Sequence, residues 1–467
     1  MEKWRDNKSD SLFSFSLFSP FSLIFFFCST EIFLLSKKPS AIIHFMKLIV
    51  EPSNLNGVIN IPASKSHTIR AVFIASLAGG VSEIINPLIS ADGLSAAEAC
   101  RSLGAEIEMI NNKWIVHGTG GNIRAVKKII DVGNSGTTAR FCTGSASLGK
   151  DLITITGDDQ TRKRPMQSLI DALNNLGADI KSIEGNGRLP ISVRGKLKGG
   201  KTEVSGMTSQ FISSILINCP LSDGDSEIYV RELNEKPYVG ITMWWLNKQG
   251  ITYKEENLEK FFIKGKQSYK PFKETVPADF SSAAFFLCAG AITNSEIVLK
   301  GLDMNDTQGD KRVVNILKDM GANIAVTERG IKVEGGNLRG MEIDMNDIPD
   351  ALPAMAVVGC IAEGKTVLRN VPQARMKETD RIAVMRGELS KMGAAIEELP
   401  DGLIIRKSRL KGTNVSGHDD HRVVMSLSVA GLVAEGITVI ETAEATNITF
   451  PNFVDLMKSS GARMKTL

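Results

Sequence analysis

The chain has 467 residues, 43% hydrophobic and 23% charged, with a formal net charge of only +3. That is a globular composition, long enough for two to three domains. The near-neutral balance excludes the bulk basic field that nucleic-acid binding draws on, so any anion must be held by local clusters.

The first 45 residues stand apart. They hold nine of the twenty phenylalanines, and the run "SLFSFSLFSPFSLIFFFCST", Ser11 to Thr30, carries no charge. Six serines and a proline dilute it as a membrane anchor, and no clear small-residue cleavage site follows it as a signal peptide. The simplest reading takes Met46, in "MKLIVEPS", as the start of the folded protein and residues 1–45 as an extension outside it. The remainder has no transmembrane candidate.

Beyond Met46 one pattern occurs six times: an amphipathic helix, a glycine, then a short strand. The segments read "CRSLGAEIEM", "LNNLGADIKS", "LNKQGITYKE", "LKDMGANIAV", "LSKMGAAIEE" and "MKSSGARMKT". Their glycines, Gly104, Gly177, Gly250, Gly321, Gly393 and Gly461, are spaced by 73, 73, 71, 72 and 68 residues. A glycine after a helix supplies the left-handed residue that caps it, and six at a near-constant period imply duplicated supersecondary units. Each unit also holds a second helix that is apolar nearly all round, such as "IRAVFIASLAGG", "TARFCTGSASLG" and "SAAFFLCAGAI", and these are expected to be buried. The six cysteines are far apart, without a CxxC pair, and mostly lie in such runs. They read as small buried residues of a reducing compartment. Six units group as two lobes of three, with a ligand cleft between them.

Polar motifs punctuate this frame. "PASKSHTIRA", Pro62 to Ala71, sets Lys65, Ser66, His67 and Arg70 at the mouth of an apolar strand, "GVINI". The spacing puts Lys65, Ser66 and Arg70 about a turn apart on one face. "VGNSGTTARF" (132–141) reads as a strand end, a turn and a helix start, where backbone N–H groups favour an anion. "GDDQTRKRPM" (157–166) packs Arg162, Lys163 and Arg164 before a helix; a solvated run is the plain reading for Lys163. "GMTSQF" (206–211) is either an N-cap or a hydroxyl-and-amide cradle for phosphate. In "NDIPDALPA" (346–354), Asp350 is either a capping residue or a carboxylate aimed into the cleft as a general base. In "ARMKETDRIAVM" (374–385), Lys377 and Arg381 are predicted to share a helix face. "GHDDHRVVMSLSVAG" (417–431) offers a metal reading through His418, Asp419, Asp420 and His421. The alternative is an aspartate capping an apolar helix with Arg422 aimed at a ligand.

Together "PASKSHTIR", "GNSGTTAR", "KRPM", "TSQF", "IPDA", "KETDR" and "DDHR" resemble, in order and spacing, the 5-enolpyruvylshikimate-3-phosphate synthases, from about Met46 to the C-terminus. The resemblance implies an α/β fold: a two-lobed inside-out barrel of six βαβαββ units. Lobe 1 is expected from residues 46–64 and 278–467, and lobe 2 from residues 65–277. It implies transfer of the enolpyruvyl group of phosphoenolpyruvate to the 5-hydroxyl of shikimate 3-phosphate, with release of phosphate. No metal or other cofactor is implied, nor any nucleic-acid or membrane contact for residues 46–467. The expected enzyme is a cytoplasmic monomer.

The resemblance assigns shikimate 3-phosphate to Lys65, Ser66, Arg70, Thr208, Ser209, Gln210, Asp350, Gln373 and Lys377. It assigns phosphoenolpyruvate to Lys65, Asn134, Gly136, Gln160, Gln210, Arg381 and Arg422. The catalytic groups are Asp350 as base for the 5-hydroxyl, Glu378 for proton transfer at the methylene, and Lys65. Four positions depart from the family pattern. Gln160 stands where an arginine is common, with Arg162 two positions on; Glu235 stands for a phosphate-binding serine that would have to point away; Phe141 stands for a proline; Ile448, in "EATNITFP", stands for a lysine. A sister transferase acting on UDP-N-acetylglucosamine shares the fold, but Ser66, "KETDR" and Thr208–Ser209 argue against it. Ile448 and Gln160 motivate the other alternative, a non-catalytic binding protein that keeps the fold.

Overall fold

The computed structural model describes residues 46–467. The reading of residues 1–45 as an extension lies outside the described residues. All six repeat glycines take the left-handed conformation expected of helix caps, with φ between 67° and 108°.

The first five caps open hairpins, the sixth opens the last strand, Arg463–Thr466, and each belongs to one of six four-stranded sheets. One sheet shows the common plan. Ile129–Asp131 pairs in parallel with Ile153–Thr156; that strand pairs antiparallel with Ile191–Gly195, which closes a hairpin with Ala178–Ser182. A parallel step needs a crossover connection, and in this sheet the crossover is an apolar helix. The six such helices, in chain order, are α1 (Lys65–Leu77), α2 (Gly136–Ala146), α3 (Ser209–Asn218), α4 (Phe280–Ile292), α5 (Leu352–Ile361) and α6 (His421–Gly431). They are buried nearly all round: in α4 every residue from Phe280 to Ala291 is buried. The helices before the glycines bury one stripe only. Arg312–Met320 buries Val313, Val314, Ile316, Leu317 and Met320 and turns its charged residues outward, the division its sequence pattern predicts. Helices therefore lie inside and sheets outside.

Two pairings tie the ends of the fold together. Leu48–Glu51 is inserted between Thr438–Glu441 and Arg463–Thr466, antiparallel to both. Asn56–Asn60 pairs in parallel with Glu296–Lys300, whereas Lys273–Thr275 pairs in parallel with Gly79–Ile85. The buried apolar side chains form two clusters: one drawn from Leu48 to Ile61 and from Ala278 to Met464, the other from Ala63 to Val276. The chain passes between them twice, side by side. Ala63 and Ala278 form an antiparallel bridge, Ser64 N donates to the Pro277 carbonyl (2.7 Å) and Asp279 N to the Pro62 carbonyl (2.9 Å). Among the described residues no helix is long and apolar enough to cross a membrane.

Candidate active site between the lobes

A cavity with about 640 Å³ of space not filled by protein atoms lies where the two clusters face each other. Five of the six buried helices bring their N-terminal ends to it: Lys65 opens α1, Gly136 and Thr137 open α2, Thr208 caps α3, Asp350 precedes α5, and His421 and Arg422 open α6. None of these helices has an acidic residue in its first turn, although that is where acids are favoured. Ser64, Ser135, Thr208 and Asp420 each cap one N–H of these ends; the remaining N–H groups and the positive dipole ends favour an anion in the cavity.

Six cations line the same space: Lys65, Arg140, Arg164, Lys377, Arg381 and Arg422. Most are held by four lining carboxylates, Asp92, Glu235, Asp350 and Glu378. Lys65 Nζ is 3.1 Å from Asp92, and Arg422 Nη2 is 2.9 Å from Asp350 Oδ2. Arg381, almost wholly buried, forks to three acids. Nη1 lies 2.8 Å from Asp350, Nη2 2.5 Å from Glu378, and Nε 2.8 Å from Asp420. Lys377 pairs with Glu235 and stands 4.0 Å from Asp350; Arg164 is 3.3 Å from Glu378. Buried charge of this density is tolerable only when it is paired.

These contacts set the acidities. Burial opposes ionisation of Asp350, but the charges of Arg422, Lys377 and Arg381 outweigh it and hold the carboxyl well below the usual range. Glu378 is likewise ionised: burial works against it, and Arg164 and Arg381 prevail. Tyr238 donates its hydroxyl to both Asp350 and Asp310, at 3.1 Å each. Burial, then the Asp350 charge, pushes the Asp310 carboxyl up to about 6. Asp350 is thus ionised, with both oxygens engaged by Arg381, Arg422 and Tyr238. It does not cap α5: it sits in the 3₁₀ turn Pro349–Ala351, with no side-chain cap bond.

Arg140 was not named by the sequence reading, and Arg164 appeared there only as one of the cations of "GDDQTRKRPM". Both are buried, and Arg140 Nε, Arg164 Nε and Arg164 Nη2 have no hydrogen-bond partner among the described residues. Burial, then the neighbouring Arg164 charge, lowers Arg140 to about 9, so it stays charged at neutral pH. Both guanidinium groups crowd Gly136, where a Cβ would lie 2.4 Å from a nitrogen of each. The sequence signals were an arginine one turn into "GTTARF" and the last cation of "RKRP". Arg162, two positions beyond Gln160, instead donates to Thr156 on the exposed side.

Other expected residues are placed as follows. Gln210 and Gln373 line the cavity; Gln373 Nε2 donates to the Asn346 carbonyl while its Oε1 is buried without a partner among the described residues. Asn134 donates to Asp158 and to Gln160 Oε1, just outside the cavity wall. Lys65 and Arg70 do not share a face, because five residues along a helix is a rotation of about 140°. Ser66 and Arg70 lie behind the wall. Arg70 donates to Thr242, Ser213 and the carbonyls of Tyr238 and Ser66. Lys377 and Arg381 are not on one helix either: Asp380 caps the helix that starts at Arg381, so Lys377 belongs to the preceding loop. Both nevertheless reach Asp350. Glu235 does not point away; its carboxylate accepts from Ser209 Oγ at 2.8 Å. Ile448 packs against the first apolar cluster, not the cavity.

The "HDDH" side chains diverge. His418 reaches Glu388, Asp419 is exposed, Asp420 caps α6 and binds Arg381, and His421 alone faces the cavity. Burial lowers His421 to about 3, leaving a neutral ring. Among the described residues no group of three or more His, Cys, Asp and Glu is set to hold a metal.

The family model described as EPSP synthase (3-phosphoshikimate 1-carboxyvinyltransferase) matches residues 49–457. The 3-phosphoshikimate 1-carboxyvinyltransferase of Acetivibrio thermocellus is 57% identical over 421 residues, covering 90% of this chain and 100% of that protein. The protein of the same name from Methanococcus vannielii is 46% identical over 431 residues, with the same coverage. A solved structure of EPSP synthase from Acinetobacter baumannii superposes with a TM-score of 0.77 at 30% identity, over 91% of this chain and 100% of that one. With six βαβαββ units around apolar helices and a cation-lined cavity between two lobes, the chain belongs to the EPSP synthase family.

Proposed function

We propose that this protein joins the enolpyruvyl group of phosphoenolpyruvate to the 5-hydroxyl of shikimate 3-phosphate and releases phosphate. The observation that carries the reading is the convergence of six cations and five helix N-termini on one cavity beside an ionised Asp350. The two substrates bring roughly five or six negative charges into one site, and at about 4 Å each like-charged pair costs roughly 4 kcal/mol at a near-surface dielectric. Only a matched field of fixed cations and dipoles makes that encounter favourable.

Thr208, Ser209, Gln210, Gln373 and Lys377 hold shikimate 3-phosphate, with Ser66 and Arg70 bracing that wall from behind. Arg140, Arg164, Arg381 and Arg422 receive phosphoenolpyruvate near Gly136, with Asn134 and Gln160 at the margin. Asp350 takes the proton of the 5-hydroxyl as its oxygen bonds to C2 of phosphoenolpyruvate. Glu378, ionised in the free protein, first takes up a proton as the anionic substrates engage Arg164 and Arg381; it passes that proton to the methylene carbon and later removes one from the resulting methyl group as the C–O bond to phosphate breaks. Lys65, between the two subsites, neutralises the departing phosphate. Anionic substrates engage the cations that hold the Asp350 proton off, so binding itself makes that base stronger.

The lobe boundaries we infer, 46–64 with 278–467 and 65–277, are supported by the two apolar clusters. A monomer acting in the cytoplasm fits a cavity built from one chain and five buried free thiols among the described residues. The test is release of inorganic phosphate when both substrates are mixed with the protein. Calorimetric binding of the substrates without phosphate release would leave a binding protein and overturn the activity.

Gly136→Ala supplies a narrower check. Its methyl group would displace both Arg140 and Arg164, and an ångström of misplacement costs up to about 10²-fold. The KM for phosphoenolpyruvate is expected to rise by about tenfold or more, with a smaller change for shikimate 3-phosphate. Steady-state kinetics with each substrate varied in turn reads this directly.

A further inference from the structure

The phosphate cradle of this chain already holds an anion. Glu235 is 2% exposed and sits at the start of the helix Lys236–Lys248 in the left-handed conformation, φ 59° and ψ 40°, a backbone state uncommon for a residue with a side chain. Its Oε2 accepts from Ser209 Oγ (2.8 Å), Ser209 N (3.3 Å) and Thr208 Oγ1 (3.4 Å), and its Oε1 pairs with Lys377 Nζ. These are the donors that the proposed function gives to the substrate phosphate. A carboxylate is a smaller copy of that group, with two oxygens and one charge for the phosphate's three and two.

We propose that Glu235 is an internal rival of the substrate phosphate, and therefore the residue that sets this enzyme's affinity for shikimate 3-phosphate. The inference rests on the reading above, which places that phosphate at Thr208, Ser209 and Lys377. Two anions cannot share these four donors in a buried pocket without strong repulsion. The phosphate enters only as the Glu235 carboxylate leaves the cradle or gives up its charge, and that cost is subtracted from every binding event. The departure of Glu235 also frees Lys377, whose other carboxylate neighbour is Asp350 at 4.0 Å, so the same displacement strengthens the cationic field around the base. A residue that merely braces Lys377 would have the opposite signature, since its removal would loosen the pocket and weaken binding.

The experiment is calorimetric titration of shikimate 3-phosphate, and of shikimate as the probe lacking the phosphate, into the full-length wild type, Glu235→Gln and Glu235→Ser. Gln keeps the shape and an acceptor without the charge; Ser empties the cradle and adds a hydroxyl. In both variants the Kd for shikimate 3-phosphate is expected to fall by at least about tenfold, with little change for shikimate. Unchanged or weaker binding of shikimate 3-phosphate, or equal tightening of both ligands, overturns the role. Phosphate release by the wild type separates the two claims. Turnover with unimproved variants sinks the role of Glu235 alone, whereas tighter variants of a wild type that releases no phosphate sink the proposed activity alone.

Discussion

Lys65→Met is expected to abolish turnover, with phosphate release falling about 10³-fold, the scale of losing a proton carrier or a charge-stabilising group. Two lysines line the cavity, Lys65 and Lys377, and Lys377 is tied to Glu235 on the far side of the phosphate cradle. The third lysine implied by family resemblance is Ile448, which packs in the apolar core. Arg164, Arg381 and Arg422 supply charge from positions fixed by their carboxylate partners. Lys65, on the first residue of α1 and 3.1 Å from Asp92, is left as the mobile ammonium that can meet the departing phosphate. Methionine matches its length, so the cavity keeps its shape; the added cost is a partnerless Asp92, on the order of 1–3 kcal/mol. The measurement is coupled phosphate release at saturating substrates, with near-UV circular dichroism as a control for folding. A folded variant retaining a tenth of wild-type turnover would remove Lys65 from the mechanism.

Arg381→Ala carries the largest expected structural cost. Its guanidinium is 1% exposed and touches Asp350, Glu378 and Asp420 together. Removing one partner of a buried pair typically costs about 3–5 kcal/mol, a fall in Tm on the order of 5 °C for a chain of this size. The pH dependence has a definite sign. Burial raises all three acids, yet Arg381 and its neighbouring cations bring each below its ordinary value. Groups with depressed folded pKa values contribute stability above their unfolded values, near 4, and lose it as the pH falls through the folded ones. Without Arg381 much of that depression disappears. The deficit of the variant is therefore full at pH 7, persists to about pH 5 and shrinks only as the pH falls below about 4, toward the depressed folded values, a trend read by thermal melts from pH 7 down to acid. A deficit that grows on acidification would contradict the charge network. Arg381→Lys restores a charge but not the three-way fork, so it should fall between the two.

The repeat was legible because it is local. Helix, capping glycine and hairpin lie within a few residues of one another, and all six glycines adopt the backbone that their position after a helix demands. The closure of the last sheet by Leu48–Glu51 was not, since it pairs residues nearly four hundred apart, Leu48 with Ile440, and no local pattern encodes that. The same divide runs through the site. Asp350 and Arg422 were readable as polar residues at the mouths of apolar helices. Arg70 had the same look, but its partners Thr242 and Ser213 come from distant helices that seal it behind the wall. Arg140 and Arg164 passed as ordinary helix-start cations until Gly136 brought them together. The helix shared by Lys377 and Arg381 failed on a signal the sequence did carry: Asp380, an N-cap residue, puts the helix start at Arg381.

The side-by-side crossings at Ala63 and Ala278 have a mechanical consequence. Lys47 and Leu467 also exchange backbone hydrogen bonds, so the six units form a ring that is pinched once across its middle. Two adjacent strands resist sliding and shear but permit rotation about the line joining them, which makes the pinch a door hinge with a single axis. Lys65 lies one residue beyond that axis, whereas Lys377, Arg381 and Arg422 ride on the opposite leaf. A rotation about that axis would change every distance across the cavity together, so the charges of the two leaves would reach a bound anion in a single stroke.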